Sequence, residues 1–454
     1  MFESISPLEY RYLDIPESDN LRKYLSEEAF IAYLAQVEVA LLRTYVHRGL
    51  CPQEILEKVQ KAAQEITAKE VYDEEKKIHH QIRALVNCLV RKAGSEAGKW
   101  IHLGATSHDI LCTADSLRYK DFVFQMLLPC LIDLENNLIH LALREKNTPQ
   151  IGRTHGQHAV PITFGFALSS YVARLGNRIL SIKKFADGLV GQFSGAVGAY
   201  NAQSILVDDP LSFEQEFLSI LNLNIADHTT QIVPPEYLLD LLHGLISTFG
   251  VLANLSDDMR HLQRSEIDEI AEAFSSEQVG SSTMPHKRNP INFENVKSLY
   301  KTFAPRMMTY YLDQISEHQR DLSNSASSRF ISEIFCALFL AARRLSKTMS
   351  KIVLNKESLQ RNLQQNKDKI LAEPYYLILA RYGRPDAHEI VRRCVQNTEQ
   401  GLMEIARTLP DLTDKEKHIL QSPENYLGLS ERKTEIVCQK WEKIMQELAI
   451  GKIF

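Results

Sequence analysis

Five long, glycine-poor stretches constrain the fold of this chain more than anything else in it. They run roughly over 107–146, 161–190, 234–273, 291–316 and 327–355. Within the third, Leu238, Leu239, Leu242, Leu245, Ile246 and Phe249 recur at helical spacing. The alternation that marks a half-buried strand is nearly absent. Helices this long exceed what a compact domain ordinarily uses. They predict an elongated multi-helix bundle whose surplus apolar surface is buried between subunits. Pro129 lies inside the first stretch and is expected to kink it.

The flanks read differently. Ser26-Glu27-Glu28 is a helix N-cap followed by first-turn acids, and Pro52 opens a second helix reaching to about Ala68. His79-His80-Gln81 opens another, with Ile82, Leu85, Val86 and Leu89 as its apolar stripe. Beyond about Asn355 the segments shorten, with breaks at Glu373-Pro374, Gly383-Arg384-Pro385 and Leu409-Pro410-Asp411. The expected fold is all-α, in three helical domains: 1–106, the long-helix bundle 107–355, and 356–454.

Composition narrows the function classes. A net charge of −5 argues against generic nucleic-acid or anionic-membrane binding, so an anionic substrate must meet a local cluster of cations. The seven cysteines are scattered, with no Cys-x-x-Cys pair, which fits a reducing compartment and no structural zinc. The N-terminus lacks a basic and then apolar leader, and no apolar run reads as long enough to cross a bilayer. The expectation is a cytoplasmic protein.

Polar islands interrupt the helical stretches: 104–109, 152–158, 194–200, 229–231, 280–290 and 320–329. The segment 194–200 lacks the glycine offsets of a dinucleotide fingerprint, and no strand is read ahead of it. Thr106-Ser107 with Asp109 has the composition of a helix cap, and a histidine pair such as His79-His80 is more often a cap than a ligand. The island 280–290 is richer in chemistry. Its hydroxyls, backbone amides, Lys287, Arg288 and Asn289 are the groups that stabilise a developing oxyanion. A solvated basic loop is the bland alternative.

Gly280-Ser281-Ser282-Thr283-Met284-Pro285-His286-Lys287-Arg288-Asn289-Pro290 resembles the signature of the fumarase/aspartase superfamily, Gly-Ser-Ser-x-Met-Pro-x-Lys-x-Asn-Pro, at every fixed position. Its members eliminate across a C–N or C–O bond and usually release fumarate. The resemblance implies that Ser281 is the general base, with the adjacent Ser282 as runner-up, and that Lys287 stabilises the charge formed. Arg153-Thr154-His155-Gly156-Gln157 resembles the superfamily's Thr-His-x-Gln region, whose histidine is the general acid in the adenylosuccinate lyases. The family's glutamate seven residues past the signature lysine, which holds that histidine, is matched by Glu294.

Further segments resemble the adenylosuccinate lyases in particular. They are Arg11-Tyr12 after Ser-Pro, His80, Thr106-Ser107, Thr229-Thr230-Gln231, Arg320 to Arg329, and 370–374 with 381–383. The likeness covers nearly the whole chain. It implies that Arg11, Tyr12, Arg320, Ser325 and Arg329 hold a nucleotide and its phosphate. It implies that Thr106, Ser107, Lys287 and Asn289 hold the succinyl carboxylates, and that Gln231 also touches the substrate. His80 matches the family where Gln81 departs from its His-Asp pair. Arg329 lies four residues past Ser325, on the same face if the segment is helical. The implied protein is a cofactor-free, metal-free homotetramer whose sites are shared between subunits. Its implied reactions release fumarate from adenylosuccinate and from the succinyl-carboxamide ribotide of purine synthesis. Argininosuccinate lyase, carboxymuconate cycloisomerase and an inactive structural homologue are the rival readings.

Overall fold

The computed structural model describes residues 4–274, 280–284, 286–396, 402, 412–449 and 451. Residues 275–279 and Pro285 of the signature region, and the break at 409–411, lie outside them. The fold is all-α with a few short strands. In chain order come α1 (Ser18–Leu25), α2 (Glu27–His47), α3 (Gln53–Glu65), α4 (Ala68–Ile78), α5 (Gln81–Ala93), α6 (Ser107–Phe122), α7 (Leu128–Arg144), β1 (Pro149–Thr154), β2 (Gln157–Thr163) and α8 (Phe164–Asp187). Then follow β3 (Val190–Gly191), α9 (Gln203–Leu206), α10 (Pro210–Ile220), β4 (Asn224–Ile225), α11 (Glu236–Leu262), β5 (Ile270–Ala271), α12 (Ile291–Phe303), α13 (Met307–Leu312), α14 (Ile331–Met349), β6 (Val353–Leu354) and α15 (Lys356–Gln364). Short helices follow among the described residues, but the last, Ser430–Ala449, is 20 residues long, so the segments past 355 do not all shorten as expected.

Local chemistry sets the helix starts. The Ser26 hydroxyl accepts from the Ala29 N–H and so caps α2. Thr67 and Glu70 form a reciprocal capping box on α4, and Thr106 and Asp109 form one on α6. Pro52 stands just ahead of α3, which runs only to Glu65. Pro129 follows a five-residue π-helical turn, Val123–Leu127. Proline lacks the N–H of a regular helical bond and crowds the carbonyl four residues back, so the helix widens before it.

By packing, the chain forms two compact units. The first comprises residues 1–131, 178–250 and 299–341. Its core joins Leu34, Leu41, Leu85, Leu89, Ile110 and Phe217, all at most 1% exposed. Tyr45 packs on Phe213 at 4.8 Å between ring centroids, and Phe213 on Phe193 at 5.4 Å. The second unit comprises 132–177, 251–298 and 342–454. Trp441 lies against Gly176 of α8 so closely that a β-carbon there would stand 2.3 Å from the indole. A smaller cluster gathers Leu371, Tyr375, Leu379 and Leu420.

Several expectations need correction. The stretch 161–190 is helical only from Phe164, because Gln157–Thr163 pairs with Pro149–Thr154 as an antiparallel hairpin. The 291–316 stretch is broken at Pro305, where a 3₁₀ turn separates α12 from the short α13. A strand does precede the 194–200 island: β3 pairs in parallel with β4. The reading that no apolar run could cross a bilayer is overturned. Glu27–His47, Ser107–Arg144 and Glu236–Leu262 are long and apolar enough by length and composition. Their apolar residues serve the protein interior, with 67%, 50% and 61% of the respective windows buried.

Candidate active site

The residues singled out by sequence fall into two groups, one in each unit. In the first unit the polar islands converge on the N-terminus of α6. The Asp109 carboxylate is fully buried and accepts from the N–H of Thr106 at 2.8 Å, of Ser194 at 3.1 Å and of Gly195 at 3.2 Å. The Gln192 side chain donates to Asp109 Oδ1 at 3.2 Å and to the Gln231 carbonyl at 2.8 Å. Ser194 and Thr229 share a hydroxyl–hydroxyl bond of 2.7 Å. Gly198, with φ +76°, has no room for a side chain, since a β-carbon would stand 2.1 Å from the Thr229 carbonyl oxygen. Burial pushes the Asp109 carboxyl up to about 6, against the pull of its N–H donors.

Arg320 joins this group, donating to Gln231 Oε1 at 3.4 Å. It is half-buried and, among the described residues, forms no ion pair. A partly desolvated guanidinium without a carboxylate is an open demand for an anion. It stands beside the end of α6 where the helix dipole is positive. Burial, reinforced by the Arg320 charge, pushes the imidazole of His108 down to about 3, so His108 is neutral near pH 7 and a poor proton donor.

The loop into α6 is pinned from behind. Glu38, 2% exposed, accepts from the His102 N–H at 3.0 Å and lies 2.7 Å from His102 Nδ1. Burial pulls that imidazole down, but the charge and hydrogen bond of Glu38 outweigh it and the net shift is upward. Tyr45 donates to the Leu103 carbonyl and Gln203 to that of Gly104, each at 2.9 Å. His80 is the N-cap of α5: its Nδ1 accepts from the Arg83 N–H at 3.2 Å, leaving Nε2 to carry the proton.

Arg11 is exposed and Tyr12 half-buried at the end of a short π-helical segment, Leu8–Tyr12. The helical pairing expected of Ser325 and Arg329 is not what forms. Ser325 lies in a turn, and the 3₁₀ helix Ser327–Phe330 carries Arg329. At three residues per turn, a spacing of four does not align side chains. Arg329 is exposed and Ser325 half-buried.

The second unit holds the proposed proton-transfer residues. His155 and Gly156 form the two-residue turn of the β1–β2 hairpin, with φ +53° and +74°. That is the backbone of a type I′ turn, and it sets the exposed imidazole at the hairpin tip. The hairpin's base is fixed by fully buried Glu269. Arg153 grips it with two nitrogens at 2.5 and 3.2 Å, Gln150 donates at 2.7 Å and Asn362 at 2.9 Å.

In the signature loop, the Ser281 hydroxyl oxygen accepts from the N–H groups of Thr283 at 3.3 Å and Met284 at 3.1 Å. Among the described residues the adjacent, exposed Ser282 hydroxyl has no hydrogen-bonding partner. The two adjacent hydroxyls thus differ in their hydrogen bonding. Asn289 closes the loop by donating to the Gly280 carbonyl at 3.0 Å, and its second amide hydrogen stays available. Gly280 is obligatory, since a β-carbon would stand 2.0 Å from the Lys287 carbonyl oxygen. Glu272 accepts from the N–H groups of Asn292 at 2.9 Å and Phe293 at 3.0 Å, anchoring the start of α12. Glu294, on the first turn of α12, and Lys287 are exposed. Among the described residues neither Glu294 nor His155 has a side-chain partner, so the expected pair between them does not form within this chain.

Asp109, Gln192, Glu269 and Glu272 were not chosen from the sequence. Asp109 carried a signal, its position three residues past a capping threonine. The other three carried none, because their partners are distant in the chain.

Comparison with known proteins matches residues 16–302 to the Lyase family and residues 316–427 to the adenylosuccinate lyase C-terminal family. The adenylosuccinate lyase of Archaeoglobus fulgidus is 33% identical over 97% of this chain and 100% of its own length. That of Pyrococcus abyssi is 35% identical, covering 94% and 95%. Among solved structures, the 3-carboxy-cis,cis-muconate lactonizing enzyme of Pseudomonas putida superposes with a TM-score of 0.84, covering 96% of this chain and 99% of that one at 24% identity. This last likeness speaks to the fold alone.

Proposed function

Because the chain belongs to the adenylosuccinate lyase family of the fumarase/aspartase superfamily, we infer that it splits adenylosuccinate into AMP and fumarate. It acts likewise on the succinyl-carboxamide ribotide of purine synthesis. The observation that carries the reading from family to chemistry is Ser281, whose oxygen receives two backbone N–H groups. Those donors favour the alkoxide, the form in which a serine can act as a base.

The Ser281 oxygen removes a proton from the carbon beside a succinyl carboxylate. The electron pair left behind builds up on that carboxylate and then forms the C=C bond as the C–N bond breaks. His155 gives its proton to the departing nitrogen, with Glu294 orienting the imidazole. Lys287 and the free amide hydrogen of Asn289 offset the charge that builds up, while Thr106 and Ser107 hold the succinyl carboxylates in place. The scheme assigns no step to a metal or cofactor.

The site is assembled between subunits of a homotetramer in this reading. Two facts support it. Among the described residues His155 and Glu294 have no side-chain partner, and the α13 region exposes Met308 at 63%, Leu312 at 64% and Ile315 at 76%. The division into domains at 106 and 355 belongs to the same reading, as does a cytoplasmic location, because a charged nucleotide stays in the compartment where it is made.

Arg11, Tyr12, Arg320, Ser325 and Arg329 form the nucleotide end. The test compares substrates. Arg329→Ala weakens the use of adenylosuccinate at least about tenfold more than that of its dephosphorylated nucleoside, because a lost charge-assisted contact costs roughly 2–5 kcal/mol. kcat/KM for both compounds decides it. Equal losses would mean that Arg329 does not read a phosphate, and would favour a relative whose substrate has none.

A further inference from the structure

We propose that Asp109 is the positioning residue of the succinyl-binding side of the site, locking the Thr106-Ser107, Ser194-Gly195 and Gln231 segments into one register. The inference rests on the adenylosuccinate reading of that site and adds to it a residue that holds the binding groups without touching substrate.

The two carboxylate oxygens of Asp109 take separate donors except for the Gly195 N–H, which reaches both. Oδ2 accepts from the Thr106 and Gly195 N–H groups at 2.8 and 3.2 Å. Oδ1 accepts from the Ser194 N–H at 3.1 Å and Gln192 Nε2 at 3.2 Å. Four donors from two separate segments, the cap of α6 and the 192–195 stretch, thus meet on one fully buried side chain. Gln192, also fully buried, extends the lock. Both of its neighbours, Asp109 Oδ1 and the Gln231 carbonyl, are acceptors, so its NH₂ must face them. Gln231 in turn receives Arg320. A continuous chain of bonds therefore runs from the cap of α6 to the guanidinium that awaits an anion.

A cap alone needs only one oxygen and the first turn's N–H groups. Asp109 spends most of its acceptor capacity outside α6, on the 192–195 stretch, which makes no helix. Its substitution should therefore disturb where Thr106, Ser107 and Gln231 stand rather than whether α6 forms. Groups that hold substrate equally in ground and transition state act on KM, not on kcat.

The test uses two conservative variants of the full chain. Asp109→Asn keeps one acceptor oxygen and turns a donor toward N–H groups. Gln192→Met keeps the volume and leaves the backbone bonds of Asp109 intact while cutting the link to Gln231. Each is expected to raise KM for adenylosuccinate about tenfold while kcat stays within about threefold. Hydrogen exchange at the Thr106, Ser194 and Gly195 amides should quicken in Asp109→Asn and not in Gln192→Met. Unchanged KM in Gln192→Met, or kcat falling as far as KM rises in Asp109→Asn, overturns the proposal. If Asp109→Asn does not fold, Gln192→Met decides alone. If the wild type releases no fumarate, the substrate reading fails instead, and unchanged exchange at the three amides would then sink the lock independently.

Discussion

Ser281→Ala lowers kcat by at least about 10³-fold and leaves helix content and substrate binding near their wild-type values. The hydroxyl is the only group removed, and in the proposed mechanism it is needed only when a proton leaves carbon. Its oxygen sits under the Thr283 and Met284 N–H groups, so a developing alkoxide finds donors already in place. Ser282→Ala is the internal control, because its hydroxyl has no such donors among the described residues. Single-turnover rates and equilibrium binding of adenylosuccinate to both variants separate chemistry from affinity. Near-normal turnover in Ser281→Ala with loss in Ser282→Ala would reverse the assignment.

Mixing inactive Ser281→Ala protein with inactive His155→Ala protein restores activity. If a site takes its serine and its histidine from different subunits, random hybrids rebuild about one site in four. The expectation grows from the single chain: His155 is held at an exposed hairpin tip, and Glu294 is exposed on the first turn of α12. In the proposed tetramer, two side chains that have no partner among the described residues are completed by a neighbour. Subunit exchange is followed by mass spectrometry and activity by fumarate release. Complete exchange with no recovered activity would place both groups within one subunit.

Much of the fold was legible because helical periodicity and caps are local signals. Ser26 and Thr106 reveal helix starts through side chains that bond three residues away. Hydrophobic spacing gave α11, and Pro129 marked the π-helical irregularity. The hairpin around His155 was not legible. Its strands lean on Glu269, 116 and 119 positions past Arg153 and Gln150, and a two-residue turn of His-Gly leaves little pattern to read. The apolar length of α2, α6–α7 and α11 was underread because their polar residues are sparse rather than grouped. Arg329 would share a face with Ser325 if the segment were α-helical, yet the chain tightens to 3₁₀ there. For the site, composition could nominate Ser281 and Ser282 together. Only the direction of two backbone N–H groups distinguishes them. Asp109 looked like an ordinary capping acid because its other partners, Gln192, Ser194 and Gly195, are brought to it by packing.

The most direct measurement is to incubate the purified protein with adenylosuccinate and quantify the products by chromatography. The prediction is AMP and fumarate in equal amounts, formed without added metal or cofactor and lost in Ser281→Ala. Intact adenylosuccinate, alongside release of fumarate from argininosuccinate under the same conditions, would contradict it.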